Sequence, residues 1–293
     1  MDLSSLNTTG AWMFVDTLSA AETEQLAQRL EGLGYSALWI PDTVGRDPFV
    51  SSATMLNATE SLILATGIAN VWMRHPGAMK QAGMALAEMS GDRFVLGIGV
   101  SHQPMVEMVR GMDYSKPLTM MKEYLAGIDA SPWRATPANM PPVVLAALGP
   151  KMLELSRDAS AGAHPYWTTP EHTAQAKEIL GDDSLLCVEQ KVCLTTDRDA
   201  AYEKAAEQLG IYKPLPNYRN NWKRLGFTED QIEHNDPAFV DAVFAWGDAD
   251  ALNARVQAHY DAGATHVCVQ PIHPTAERGT VDWDCLEALA PNG

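Results

Sequence analysis

Short apolar runs alternate with amphipathic segments along most of this chain. The runs are rich in β-branched and aromatic residues, which predicts strands, and the segments between them repeat apolar residues at helical spacing. Several runs are apolar at consecutive positions, which is typical of strands buried on both faces of a parallel sheet. The eight predicted strands span residues 11–16, 37–42, 61–72, 93–100, 141–148, 161–169, 184–196 and 265–272.

Helix-start signals follow these runs. Ser19 with Glu22 three residues later predicts a capping box at the start of the first helix. Pro76, Pro150 and Pro170 stand where further helices should begin, and proline suits the first helical position. Other helices are predicted over residues 118–129, 197–210, 216–232 and 249–263.

Eight alternating strand and helix units favour a (β/α)8 TIM barrel in a single domain, residues 1–293, with a doubly wound open sheet as the alternative. The chain has 293 residues, and barrels of this kind usually need about 250. Residues 197–264 are too many for one crossover helix, so we expect a helical insertion at about 211–246, between the seventh and eighth strands. Such insertions cap active sites or form subunit contacts.

Charge and composition exclude some partners. The chain carries 37 acidic against 21 basic side chains, a net charge of -16, and no basic run, which argues against nucleic acid and anionic membranes as partners. No apolar run approaches a membrane span, and the first ten residues do not read as a signal peptide, so we expect a cytoplasmic protein. The four cysteines are expected to be free and buried.

The stretch GDRFVLGIGVSHQP, residues 91–104, ends the fourth predicted strand. It is not a dinucleotide fingerprint, because His102 replaces the third glycine and the motif usually follows the first strand. Catalytic groups of barrels lie at the carboxyl ends of the strands, which points to Ser101 and His102. Gly97 and Gly99 are expected to let a flat ring approach the strand, the alternative being that they relieve crowding inside the barrel.

The segment GDRFVLGIGVSH resembles the fourth strand of the luciferase-like monooxygenase superfamily. ALWIPD, LATGIANVWMRHP and LAALGPKMLELSRDASAGAHPYWTTPEH resemble further blocks of the same superfamily in the same order, over most of residues 10–200. The nearest resemblance is to an actinobacterial branch of oxidoreductases that depend on the deazaflavin coenzyme F420. It implies a (β/α)8 barrel, often a homodimer, that moves hydride to or from C5 of the deazaflavin ring.

The resemblance also implies where the ring lies. Gly67 and Ile68 match a strand bulge with a non-proline cis peptide behind the ring, and Asn70 matches a residue that bonds the ring edge or nearby backbone. Asp42 would border ring and substrate, although Thr43 departs from the histidine that follows it in some relatives. His102, beside Ser101, is the candidate for proton transfer or for a hydrogen bond to the cofactor, since imidazole titrates near neutral pH.

By the same resemblance, the cofactor's phosphodiester tail lies at the helix start formed by residues Gly149, Pro150, Lys151 and Met152, near Thr168 and Thr169. The N–H groups and dipole of a helix start favour an anion. His164 would flank the pocket, although a lone histidine in an apolar run is more often structural. Arg74 is equally compatible with binding an anion or pairing with a carboxylate, and His75 is expected to be a packed or capping histidine.

These residues predict an oxidoreductase that transfers hydride between F420 and an unidentified small molecule. The alternatives are an FMN-dependent monooxygenase of the same superfamily and a barrel that binds cofactor without turnover. The eight histidines show neither an H-x-H pair at the first strand nor an HExxH motif, so no metal site is expected. Trp72, Met105 and Trp167 suggest an apolar substrate, but core packing explains them equally well.

Overall fold

The computed structural model describes residues 6, 8–136 and 138–291. The strands are β1 Gly10–Trp12, β2 Ala37–Ile40, β3 Ile63–Thr66, β4 Ala69–Asn70, β5 Phe94–Gly99, β6 Val143–Leu145, β7 Gly162–Ala163, β8 Leu185–Leu194, β9 Ala245–Gly247 and β10 His266–Pro271. Most of these strands lie within the predicted apolar runs and are shorter than them, whereas β1 begins one residue before its run and β9 lies in no predicted run.

The sheet closes on itself. β10 pairs in parallel with both β1, where Cys268 lies opposite Gly10, and β8, where Val267 lies opposite Val188. β3 and β4 both pair with β5 and act as one interrupted strand, while β9 adds only to the end of β8. Within the described residues this gives eight parallel barrel positions, so the predicted (β/α)8 barrel is confirmed and the open sheet is wrong.

Helices surround the barrel. The predicted capping box at Ser19 and Glu22 is formed, and Pro76, Pro150 and Pro170 each stand at the first positions of a helix. The helices are α1 Ala20–Gly32, α2 Pro48–Ala58, α3 Pro76–Ser90, α4 Pro117–Ala130, α5 Pro150–Ala159, α6 Pro170–Leu180, α7 Arg198–Tyr212, α8 Pro216–Arg224, α9 Glu229–Glu233, α10 Pro237–Val243, α11 Ala249–Asp261 and α12 Trp283–Ala288. None of these described helices is long and apolar enough to cross a membrane.

The segment between β8 and α11 contributes most of an apolar cluster over the barrel end, which also contains Trp167 and Cys193. Trp222 of α8 and Phe239 of α10 are fully buried in it, with ring centroids 5.1 Å apart. Trp222 Nε1 donates a hydrogen bond to the main-chain oxygen of Trp167, 3.0 Å away. Because Trp167 lies in the loop after β7, this bond fixes α8 against the mouth of the barrel.

The glycines of β5 have a packing role. A Cβ on Gly97 would lie 1.9 Å from the main-chain oxygen of Thr66, and one on Gly99 would lie 2.7 Å from the Ile68 side chain. The expectation that these glycines admit a flat ring is therefore wrong, because neighbouring strand atoms already fill the space; the crowding alternative is correct.

The predicted interruption of the third strand is present. β3 ends at Thr66, β4 resumes at Ala69, and the peptide bond between Gly67 and Ile68 is cis. Ile68 O accepts a hydrogen bond from the main-chain N–H of Asp42 at 3.2 Å, which ties the bulge to the end of β2. The four cysteines are free and buried, as expected.

Candidate active site

Asp42, Asn70 and Arg74 form one polar cluster after β2 and β4. The carboxylate of Asp42 accepts hydrogen bonds from the Asn70 main-chain N–H at 3.1 Å and from the Arg74 guanidinium. Arg74 also pairs with Asp47 at 2.5 Å. Burial alone would lower the pKa of Arg74, but the two carboxylates raise it on balance. Arg74 is therefore the ion-pair partner that one prediction allowed, and the Asp42 carboxylate serves first to position this cluster.

Asn70 is turned towards its own chain. Its Oδ1 accepts a hydrogen bond from the main-chain N–H of Trp72 at 3.0 Å, while its Nδ2 bonds no described residue. His75 caps α3 by accepting the N–H of Gly77 at 3.1 Å, so its predicted capping role is confirmed. Asn70 thus keeps one free donor beside the Gly67–Ile68 bulge.

His102 lies in a largely desolvated position after β5. Its Nδ1 is buried and has no hydrogen-bond partner among the described residues. Burial lowers the pKa of His102 to about 4, so the imidazole is neutral at pH 7 and can accept a proton. Ser101 precedes it with a positive φ of 56°, and its main-chain oxygen accepts the Tyr114 hydroxyl at 3.2 Å. This turn holds the imidazole at the strand end.

Tyr218 of α8 packs against His102, with ring centroids 5.4 Å apart. Its side chain is buried, yet its hydroxyl makes no hydrogen bond within the described parts of the chain. Burial raises the pKa of Tyr218 well above its ordinary value, so the hydroxyl is a proton-bearing donor at neutral pH. The sequence placed Tyr218 in the insertion, but it contained no signal that α8 folds back onto β5.

Polar side chains that the sequence did not indicate lie around the start of α5. Gly149 caps this helix without a side-chain hydrogen bond, and a Cβ on Gly149 would lie 3.4 Å from Nη2 of Arg224. Arg224 also donates to Asn221 Oδ1 at 3.0 Å. His172 approaches from α6, and its Nε2 donates to the main-chain oxygen of Leu148 at 2.9 Å. Residues of α6 and α8 therefore meet the start of α5.

Several buried polar atoms around this start lack partners among the residues that the structure describes. They are Thr168 Oγ1, His172 Nδ1 and Asn221 Nδ2, on side chains that are 1–3% exposed. Buried polar groups without partners are costly unless something binds them. With the helix dipole and the Arg224 guanidinium, the Thr168 hydroxyl and the Asn221 amide suit an oxyanion such as a phosphate, whereas Nδ1 of neutral His172 is an acceptor and suits a hydroxyl group of the ligand. Lys151, in contrast, is exposed and forms no ion pair with a described residue, so its predicted role stays a prediction.

His164 and Thr169 have structural partners. His164 is buried inside the barrel, stacked on Trp39 with ring centroids 4.3 Å apart, and its Nδ1 bonds the main-chain oxygen of Cys187 at 2.7 Å. Its Nε2 lies beneath Gly67, where a Cβ would be 3.2 Å away. Thr169 caps α6 by accepting the N–H of His172 at 3.3 Å. Of the two threonines, Thr168 keeps its hydroxyl free for a ligand.

A buried ion pair lies inside the barrel below the site. Lys191 Nζ is 3.0 Å from Glu189 Oε1, and both side chains are 0% exposed. The ammonium lies 3.6 Å from the ring centroid of Tyr166 and 4.2 Å from that of Trp167. Glu189 Oε2 accepts the main-chain N–H of Trp167 at 3.2 Å. The pair therefore holds the loop that carries Thr168. The sequence of β8, in which Glu189 and Lys191 lie, is otherwise typical of a buried apolar strand.

Comparisons with known proteins agree with this architecture. The chain is 29% identical over 224 residues to 5,10-methylenetetrahydromethanopterin reductase of Methanolobus tindarius, an alignment that covers 68% of each protein. The solved coenzyme F420 dependent tetrahydromethanopterin reductase of Methanopyrus kandleri superposes with a TM-score of 0.73 at 17% identity, covering 97% of both chains. An F420-dependent secondary alcohol dehydrogenase in complex with an F420-acetone adduct superposes with a TM-score of 0.75 at 16% identity, covering 98% of both chains. At such identities the two structures establish the fold alone.

The sequence profile of one family extends over nearly the whole barrel. It matches residues 1–266, which include every strand end described above except the last. The chain belongs to the luciferase-like monooxygenase family.

Proposed function

We propose that this protein is an oxidoreductase that transfers a hydride between the deazaflavin coenzyme F420 and a small organic substrate. The observation that carries the proposal is a set of buried polar groups, at one end of the barrel, that have no hydrogen-bond partner among the described residues. His102 belongs to this set at the end of β5, and Thr168, His172 and Asn221 belong to it around the start of α5. Such a distribution suits a ligand with a ring at one end and a phosphate at the other.

The named relatives support the choice of cofactor. Both of these solved structures are of proteins named as F420-dependent, and this chain shares their fold. In this protein the Gly67–Ile68 bulge would border the ring, while the start of α5, with Arg224 and Thr168, would hold the tail phosphate. When bound, the deazaflavin supplies a carbon centre that accepts or gives up hydride.

The neutral state of His102 suits the proton acceptor in the oxidation of a hydroxyl-bearing substrate. A neutral imidazole can take the proton of a substrate hydroxyl while the carbon that bears this hydroxyl gives up a hydride to oxidised F420. Tyr218, packed on the same imidazole, would orient the substrate oxygen through its free hydroxyl. We therefore propose a hydroxyl-bearing substrate that is oxidised to a carbonyl compound.

The experiment is a binding titration of purified protein with oxidised F420, followed by the fluorescence of the deazaflavin, with FMN titrated in parallel. We expect micromolar or tighter binding of F420 and at least tenfold weaker binding of FMN. Preference for FMN would instead support the second candidate, an oxygen-using monooxygenase, which the description of the matched family favours. Binding of neither cofactor would contradict both proposals.

A further inference from the structure

His172 lies in the first turn of α6, and its imidazole is buried against the start of α5. Its Nε2 is 2.9 Å from the main-chain oxygen of Leu148, the residue before the Gly149 cap of α5. A carbonyl oxygen only accepts hydrogen bonds, so Nε2 carries a proton. The other ring nitrogen, Nδ1, is buried and has no hydrogen-bond partner among the described residues.

The imidazole of His172 is neutral at pH 7 and above. Burial lowers its pKa and the nearby Arg224 guanidinium lowers it further, whereas the bond to Leu148 acts in the opposite direction; on balance the pKa lies below its ordinary value. With the single proton on Nε2, Nδ1 presents a lone pair and can only accept a hydrogen bond. The oxygens of an ionised phosphate are acceptors too, so a phosphate does not satisfy this atom.

The other polar groups around this helix start are hydrogen-bond donors. Arg224 donates to Asn221 Oδ1 at 3.0 Å, which orients the amide and leaves Asn221 Nδ2 as a donor. Asn221 Nδ2 and Thr168 Oγ1 are buried without partners in the described part of the chain, and both residues are 1% exposed. These donors suit phosphate oxygens.

The acceptor on His172 therefore needs a different partner from the donors. Neither Thr168 nor Asn221 donates to Nδ1, so no described residue satisfies it. A buried polar atom without a partner is costly unless something binds it. A ligand that combines a phosphate with a hydroxyl group satisfies both kinds of atom, because the hydroxyl proton can be donated to Nδ1.

We propose that His172 accepts a hydrogen bond from a hydroxyl group of the ligand, on the carbon chain next to the phosphate that Arg224 and Thr168 hold. The ligand class at the start of α5 is therefore a phosphate ester of a polyol. The inference rests on the proposed function, because it takes the cofactor's phosphate to lie at this helix start. In that function His172 determines specificity for the hydroxyl-bearing chain that joins the deazaflavin ring to its phosphate.

The test compares sn-glycerol 3-phosphate with propyl phosphate by phosphorus NMR titration of the purified protein at pH 8. The two esters have the same charge and chain length, and only the first carries hydroxyl groups. An ester without a hydroxyl leaves Nδ1 buried and unpaired, so we expect it to bind about tenfold more weakly than glycerol phosphate.

Two variants separate the hydroxyl contact from the phosphate contact. His172→Gln should remove the preference for glycerol phosphate, because its amide nitrogen can replace Nε2 at Leu148 but no acceptor remains at the position of Nδ1. Arg224→Gln should weaken both esters alike and leave the preference unchanged. His234→Gln is the matched control, because His234 is an exposed histidine at the end of α9.

Equal binding of the two esters by the wild type would overturn the inference, and is the result expected if a water molecule satisfies Nδ1. Binding of neither ester, or a preference that survives in His172→Gln, would overturn it as well. The comparison on the wild type decides the inference even if His172→Gln does not fold. Failure of the proposed function has a different signature: F420 would not bind, while the His172-dependent preference for glycerol phosphate would persist.

Discussion

The buried ion pair of Glu189 and Lys191 predicts a large, partner-dependent loss of stability. Lys191→Met removes the ammonium and leaves the Glu189 carboxylate buried, with the Trp167 N–H as its remaining hydrogen-bond donor. Breaking a buried pair from one side costs about 3–5 kcal/mol. Because that N–H still offsets part of the cost, we expect a loss near the lower end, about 3 kcal/mol.

Replacing both partners should restore most of this stability. In the double variant Glu189→Gln, Lys191→Met no charge is buried, and the amide oxygen can still accept the Trp167 N–H. Neutral replacements of buried pairs are often neutral in stability, so we expect the double variant within about 1 kcal/mol of the wild type. Lys204→Met is the matched control, since Lys204 pairs with Glu207 at the surface, where ion pairs contribute about 0–1 kcal/mol.

The assay is urea unfolding at pH 7, followed by circular dichroism. A loss of about 3 kcal/mol corresponds to a thermal midpoint lower by about 5 °C, because the unfolding entropy of 293 residues is about 0.6 kcal/mol/K. The reasoning is refuted if Lys191→Met costs no more than Lys204→Met. It is also refuted if the double variant is as unstable as the single one, because the loss would then come from packing and not from an unpaired charge.

Three further predictions follow from the same structure. Acidification from pH 7 to pH 5 should lower the free energy of unfolding, since burial lowers the pKa of His164 and His266 to about 4 and the unfolded chain takes up protons from about pH 6.5 downwards. Each histidine should cost about 2 kcal/mol at pH 5, and an unchanged urea midpoint would contradict this. His102→Ala should bind F420 as the wild type does but transfer hydride about 10²–10⁴-fold more slowly in single-turnover absorbance measurements, and wild-type turnover would remove its assigned role. In a fluorescence titration, Arg224→Gln should bind F420 about tenfold more weakly than the wild type does, and should bind the deazaflavin without its phosphate tail as tightly as the wild type does. An equal loss of affinity for both compounds would place the tail elsewhere.

The barrel could be predicted because its signals are local. Runs such as residues 93–100 are apolar at nearly every position, and prolines mark helix starts at positions 76, 150 and 170. The parallel order of strands then follows from the alternation itself. The family resemblance predicts the cis bulge at Gly67 and Ile68, and the structure contains it.

The surroundings of the site could not be predicted in the same way. The pattern of Gly97 and Gly99 does not distinguish space for a ligand from space filled by Thr66 and Ile68. Arg224 meets the start of α5 only because Trp222 anchors α8 to the loop after β7, a tertiary contact between residues 55 positions apart.

The sequence did not indicate the ion pair of Glu189 and Lys191 inside the barrel either. The run SLLCVEQKVCLTT, residues 184–196, reads as a buried apolar strand, and its Glu189 and Lys191 look like an interruption. Only the barrel geometry places both side chains on the inner face with Tyr166 and Trp167 around the ammonium.

The measurement that tests the central claim most directly is a crystal structure of this protein with F420 bound. The account predicts that the ring lies against the Gly67–Ile68 bulge near His102, with the phosphate at the start of α5 in reach of Arg224 and Thr168. A deazaflavin ring placed away from the Gly67–Ile68 bulge, or a phosphate bound away from the start of α5, would contradict the account.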